Sequence, residues 1–419
     1  LTVNRPVLVR QAAVIALTEL DVAQAAKRAV DLLATLKEGD GSDAVAIVNA
    51  FLQRKNGGDI LADALAGKKI VADIAKMGQR AISSSGRPSP KLNDALVKAG
   101  ELGMPKRILT VDEMKALVAE IQTKGDPARG ERIYRRAELS CLKCHAIGDA
   151  GGQVGPNLSS VGASAPVDYL IESLLQPSKA IKENYHSLIV STLNGQVHTG
   201  IKVRENKQEL VLRNVDDKEI IIPIKNVDES TPGQSLMPEG LIDQLTRQEL
   251  IDLVKFMSEL GKVGAYSLSK SRLVRRWQVL ENTPDGRTYI LRNGTGGAGG
   301  NNPALTWGPG YSVVGGELPM ESIPAIKFRG DTAPFAFARC QFDVSTPGKV
   351  DLLLNDVAGT QAWLDGTPLL LKERLTLDLS AGVHTLTFGI DTSLRKSALR
   401  CELGDVNGSP ARVVIVGGK

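Results

Sequence analysis

The chain has 419 residues, too many for one ordinary hydrophobic core, so two or three domains are expected. Apolar residues make up 42% and charged residues 23%, the balance of a soluble globular protein. The 51 basic and 47 acidic residues nearly cancel, which argues against a nucleic-acid partner, and no apolar run is long enough for a membrane span.

Residues 1–108 read as short amphipathic helices. The segments 6–17 and 22–33 form an expected antiparallel pair joined at Glu19-Leu20-Asp21, with apolar residues at three- and four-residue spacing. Further helices are expected at about 42–54, 59–66, 69–79 and 89–99. Val9-Arg10-Gln11-Ala12-Ala13-Val14-Ile15-Ala16-Leu17 resembles a HEAT-type repeat, in which helix pairs stack into a solenoid; an ordinary helical bundle is the alternative. The small number of repeats and the start at Leu1 read as the tail of a longer array, with any signal peptide removed or outside the sequence.

Residues 109–262 carry the chemistry. Thr110-Val111-Asp112-Glu113 is a capping box opening a helix to about Thr123, and Asp126–Tyr134 is a second helix leading into Cys141-Leu142-Lys143-Cys144-His145. C-x-x-C-H is the haem-attachment pattern: each thiol forms a thioether to a haem vinyl group and the adjacent histidine ligates the iron. A second C-x-x-C to complete a zinc site is missing, as is a thioredoxin-like βαβ pattern, so haem is preferred over zinc or a redox dithiol. After a helix at 166–176, the pattern turns to short strands over about 186–229, including an Asn194-Gly195 hairpin turn. A second capping box, Thr246-Arg247-Gln248-Glu249, starts a closing amphipathic helix that stops at Gly261. An initial and a closing helix around the motif are the frame of a class I cytochrome c fold, here with a β insertion.

His145 is the expected proximal ligand. Met237, in a Pro/Gly loop just before the closing helix, is the expected second ligand, because a thioether suits haem iron and raises its potential. It stands 92 positions after His145, and discounting the β insertion restores an ordinary spacing. His186, His198 and Met257 compete for that role; Met257 lies on the closing helix's apolar face, and His384 is read as structural. The glycines of Gly151–Leu158 are expected to let the backbone pass close to the porphyrin. The Pro156 carbonyl is expected to accept the His145 Nδ1 proton.

Four strings, C-L-K-C-H-A-I-G-D-A-G-G-Q-V-G-P-N-L, L-L-Q-P-S-K-A-I-K-E-N-Y, N-G-Q-V-H-T-G and S-L-M-P-E-G-L-I-D-Q-L-T, resemble the haem-binding domain of planctomycete-type cytochromes c. The resemblance covers about 125–262 and implies one covalently attached haem c with His145 and Met237 as ligands. In that family the domain typically follows HEAT-like repeats, often beside a β-propeller resembling quinoprotein sugar dehydrogenases. With no propeller in this sequence, such a dehydrogenase is implied only as a missing or separate redox partner.

Residues 263–419 are rich in strands and turn signals, among them Pro284-Asp285-Gly286 and Leu364-Asp365-Gly366, as in a β-sandwich or jelly roll. Gly294-Thr295-Gly296-Gly297-Ala298-Gly299 fits a dinucleotide pattern by letter, but no helix follows, so a loop is expected. Two segments, 362–366 and 381–388, resemble sugar-binding jelly rolls, making Trp307 and Trp363 candidates for carbohydrate contact; core packing of Trp363 is preferred. Cys340 and Cys401 are either a disulfide or two buried small hydrophobes.

The expected protein is therefore multidomain α+β: a HEAT-like helical fragment, a cytochrome with a β insertion, and a C-terminal sandwich. Its expected role is a periplasmic, exported mono-haem carrier passing electrons from a dehydrogenase to a respiratory acceptor, with no catalysis of its own. An open-site haem enzyme or gas sensor, and a carbohydrate-binding scaffold, are the alternatives.

Overall fold

A computed structural model describes residues 5–36, 41–84, 89–103, 107–327 and 334–416. The chain groups into two compact units: Leu1–Leu139 with Ala165–Ile189 and Thr231–Ser258, and Ser140–Ser164 with Val190–Ser230 and Glu259–Lys419.

The first unit opens with helices α1 Val7–Leu20, α2 Val22–Leu33, α3 Gly41–Leu52, α4 Gly57–Leu65, α5 Ala72–Ser84 and α6 Pro90–Ala99. Asp21 separates the first two: its extended backbone ends α1, and its carboxylate accepts the Gln24 amide at 2.9 Å to cap α2. The six form two layers, α1, α3 and α5 in one and α2, α4 and α6 in the other, with each hairpin packed on the next. Ala25, Ala26 and Ala29 are fully buried where helices approach, and Phe51, Leu32, Leu33 and Ile47 fill the core.

α7 Val111–Lys124 starts at the expected capping box, with both reciprocal bonds between Thr110 and Glu113 formed. α8 Pro127–Tyr134 follows, capped by the Asp126 carboxylate, which accepts from Ala128 at 2.8 Å and Arg129 at 3.1 Å. After the short helices α9 Cys141–Cys144 and α10 Val161–Ser164 come α11 Val167–Leu175, packed on α7, and α12 Arg247–Glu259. Within the first unit α8 crosses α12 so closely that a Cβ on Gly130 would overlap the Asp252 carbonyl and press on the Phe256 side chain. Tyr134 and Phe256 stack tilted at the same crossing, ring centroids 5.7 Å apart. The crossing also buries a charge. Asp252, 2% exposed, accepts from the Asp126 amide (2.8 Å), Arg129 Nε (2.7 Å) and Gln248 Nε2 (2.9 Å).

The inserted strands are β1 Ser187–Thr192, β2 Val197–Glu205, β3 Glu209–Arg213, β4 Glu219–Pro223 and β5 Val227–Pro232, in the order β4-β3-β2-β1-β5. β5 was not anticipated. Its residues Asp228–Pro232 are polar and exposed, so the edge strand lacks the apolar alternation that identifies its neighbours.

The C-terminal strands are β6 Arg272–Leu273, β7 Arg276–Leu280, β8 Trp307–Tyr311, β9 Ala325–Ile326, β10 Phe335–Thr346, β11 Gly348–Leu354, β12 Thr360–Leu364, β13 Thr367–Leu369, β14 Arg374–Leu379, β15 Gly382–Asp391, β16 Cys401–Asp405 and β17 Arg412–Val416. They build an eight-stranded sheet on the path β13-β12-β15-β10-β7-β8, with β9 and β17 also paired to β10, and a four-stranded sheet ordered β14-β11-β16-β6. Trp277, Phe342, Phe388 and Leu352 belong to one continuous buried core drawn from both sheets.

Two turn readings change. Pro284-Asp285-Gly286 opens a helix, α13 Pro284–Asn293: the Thr283 hydroxyl accepts the Gly286 amide at 3.1 Å, and proline suits a first helical position. The glycine run that follows is ordered as a single 3₁₀ turn, Thr295–Gly299, with Gly299 against the Trp363 ring. Among the described residues no helix is long and apolar enough to cross a membrane.

Candidate functional site

Ser140, in the left-handed region at φ 54°, turns the chain into α9, and the His145 amide closes that turn on Cys141 O at 2.8 Å. The following loop folds back over the motif through its own backbone. Gly152 donates to Leu142 O at 3.0 Å, Gly155 to Cys144 O at 2.7 Å and Leu158 to Ala146 O at 2.8 Å. A Cβ on Gly155 would collide with the His145 imidazole. This glycine makes room for the histidine ring.

The expected ring–carbonyl contact is present, with His145 Nδ1 2.8 Å from Pro156 O. A carbonyl oxygen only accepts, so Nδ1 carries the proton and Nε2 the lone pair. Burial lowers the basicity of His145, and the Pro156 bond opposes that shift. Burial pushes the Cys141 thiol up to about 12 and raises Cys144 as well. Both thiols are therefore held protonated, opposite to the depressed pKa that makes a redox dithiol reactive. Neither is in a disulfide. Among the described residues no group of three or more His, Cys, Asp or Glu side chains is disposed to hold a bare metal ion.

The inserted sheet grips this loop. The turn between β3 and β4 brings Asp216 to Lys143 Nζ at 2.9 Å and the Asp217 carboxylate to the Gln153 amide at 3.3 Å, while Arg213 donates to Gln153 Oε1 at 2.8 Å. From β7, Arg276 donates to Gly151 O at 3.1 Å.

Met237 lies half-buried in the first unit, in the loop between β5 and α12, its amide 3.2 Å from the Ser235 hydroxyl. Charged side chains hold this loop. Arg107 makes a two-pronged pair with Asp243 at 2.6 and 2.5 Å. From α5, Lys76 donates to Leu245 O at 2.8 Å and Arg80 to Gln244 O at 2.9 Å. Glu249 then ties three elements together: it pairs with Arg80 at 2.7 Å and Arg136 at 2.6 Å, and accepts the Thr246 amide at 2.9 Å. Burial alone would raise its pKa, but Arg80, the Thr246 amide and Arg136 hold it down to about 2.

Of the competing ligands, His186 is exposed, His198 is half-buried on β2, and Met257 is 7% exposed in the α12 core. His384 is engaged by Asp365 at 2.6 Å and Ser380 O at 2.9 Å, a turn clasp in the sandwich. Trp363 is 6% exposed and packed under Gly299 and Gly389, and Trp307 carries the Arg339 guanidinium 4.2 Å over its ring. Neither candidate tryptophan presents an open stacking plate.

Lys76, Arg80, Arg107 and Asp252 escaped the sequence reading. Each has a partner more than a hundred positions away, and no local pattern marks that pairing. Gly130 inside a helix was the one available hint of a close crossing. No family model matches this chain, and no curated protein matches it.

Proposed function

We propose that this protein is an exported mono-haem c-type cytochrome that carries single electrons and performs no bond chemistry of its own. The bond from His145 Nδ1 to Pro156 O carries the reading: inside a C-x-x-C-H motif it orients the ring and leaves the lone pair on Nε2, the nitrogen that would bind an iron. Haem c, when bound, supplies a one-electron couple at its iron. Cys141 and Cys144 would hold it through thioethers, and His145, with the Met237 thioether that the resemblance implies, would be its protein ligands. A soft second ligand favours the reduced state and raises the potential.

The crossing of α8 and α12 at Gly130 supports a class I cytochrome frame, with β1–β5 as an insertion. The two-layer stack of α1–α6 supports a HEAT-like solenoid segment, and the paired sheets of 263–419 a jelly-roll-like module. Covalent haem attachment of this type implies maturation in the periplasm. Redox partners would then be a dehydrogenase on the donor side and a respiratory acceptor. Carbohydrate binding by the sandwich is the weaker part of the reading, given the buried Trp363.

The test is extraction of the purified, exported chain with acidified organic solvent. Haem that stays with the protein, and is lost in the Cys141→Ala/Cys144→Ala variant, supports the proposal. Haem that extracts completely, or is never incorporated, overturns it.

A further inference from the structure

Cys340 and Cys401 lie in different sheets of the sandwich, on β10 and β16, and are 3% and 0% exposed within the same core. The register shows why they meet. On the eight-stranded sheet Ala338 pairs with Val279 and Arg339 with Gln278, so Cys340 comes level with Trp277 on β7. On the four-stranded sheet Glu402 pairs with Leu273 and Leu403 with Arg272, and Val274 donates its amide to Cys401 O at 2.9 Å. Val274 and Trp277 are three residues apart on the stretch that passes from β6 in one sheet to β7 in the other. Each cysteine is therefore level with one end of a single short crossover, where the sheets are tied most closely.

From this juxtaposition we propose that Cys340 and Cys401 form an inter-sheet disulfide in the mature protein. The inference rests on the export implied by the haem reading, because only an oxidising compartment retains such a bond. The two thiols give up two protons and two electrons to a disulfide oxidant. That oxidant leaves as its dithiol, and one S–S bond forms.

Both thiols are free and buried in the structure, and burial together with the neighbouring Cys401 thiol pushes the Cys340 thiol well above its ordinary range. The bond would close a loop of about 60 residues and so restrict the unfolded chain strongly.

Trypsin cuts after Arg339 and after Arg400, so each cysteine begins its own peptide, Cys340–Lys349 and Cys401–Arg412. The full chain, prepared both by export with its haem and by refolding in a glutathione redox buffer, is alkylated in denaturant without reduction and mapped by mass. The proposal expects the two peptides joined and unalkylated in both preparations. It also expects a melting temperature that reductant lowers by several degrees, an effect absent in Cys340→Ala/Cys401→Ala. Both peptides recovered separately and alkylated would overturn it. The same map reports whether Cys141 and Cys144 carry haem, so failure of the haem reading with the cross-link intact is seen as a separate result.

Discussion

The loop bearing His145 and the loop bearing Met237 are held by different forces. The first is built mainly from short backbone bonds within about 18 residues, with a glycine admitting the imidazole edge and charged contacts from Asp216, Arg213 and Arg276 at its rim. The second is held by Lys76, Arg80 and Arg107, side chains 136 or more positions from the residues they bind. A seat whose inner bonds are backbone to backbone depends less on charge. A loop tethered by ion pairs is exposed to acid, salt and single substitutions.

The largest effect is expected at Asp252. Replacing it with alanine leaves Arg129 and the Asp126 amide without their shared acceptor at the α8–α12 crossing. A loss of about 3 kcal/mol in denaturant unfolding is expected, from the buried acceptor lost to three donors, with Asp252→Asn retaining part of the stability.

Acid sharpens the contrast next. Glu249 is depressed from an ordinary 4.5 to about 2, so its contribution is complete above pH 4.5 and is lost as pH falls toward 2. The contribution is on the order of 3 kcal/mol. Wild-type and Glu249→Gln unfolding curves should differ by that amount at pH 6 and converge near pH 2. A constant difference across the range would contradict the pairing with Arg80 and Arg136.

On the backbone-held side, Gly155→Ala should cost about 2 kcal/mol by overpacking against His145. That loss should be the same at 0.05 and 1 M salt. The smallest effect belongs to Arg107→Ala, a half-exposed pair contributing about 1 kcal/mol or less. Its signature is faster amide exchange at 240–245, diminishing as salt already weakens the wild-type pair.

The same contrast explains what the sequence disclosed. The helices of 6–99, both capping boxes and the Pro156 contact follow from neighbouring residues: Asp21 stops one helix and starts another, and Thr246 with Glu249 announces α12. The strand β5 was silent because an exposed polar edge has no alternation to detect. Pro284-Asp285-Gly286 misled because proline serves a turn and a first helical position equally well, and only the Thr283 cap decides between them. The tethers of the Met237 loop were illegible for a deeper reason: lysine and arginine on a helix surface look alike whether solvated or paired across the fold.

The central claim is an electron carrier with His145 and Met237 on the iron. Optical spectra of the oxidised and reduced protein, with carbon monoxide added to the reduced form, test it most directly. The account predicts a methionine-to-iron charge-transfer band that disappears in Met237→Ala, and no reaction of the wild type with carbon monoxide. A high-spin spectrum with ready carbon monoxide binding would contradict it and leave an open-site enzyme or sensor in its place.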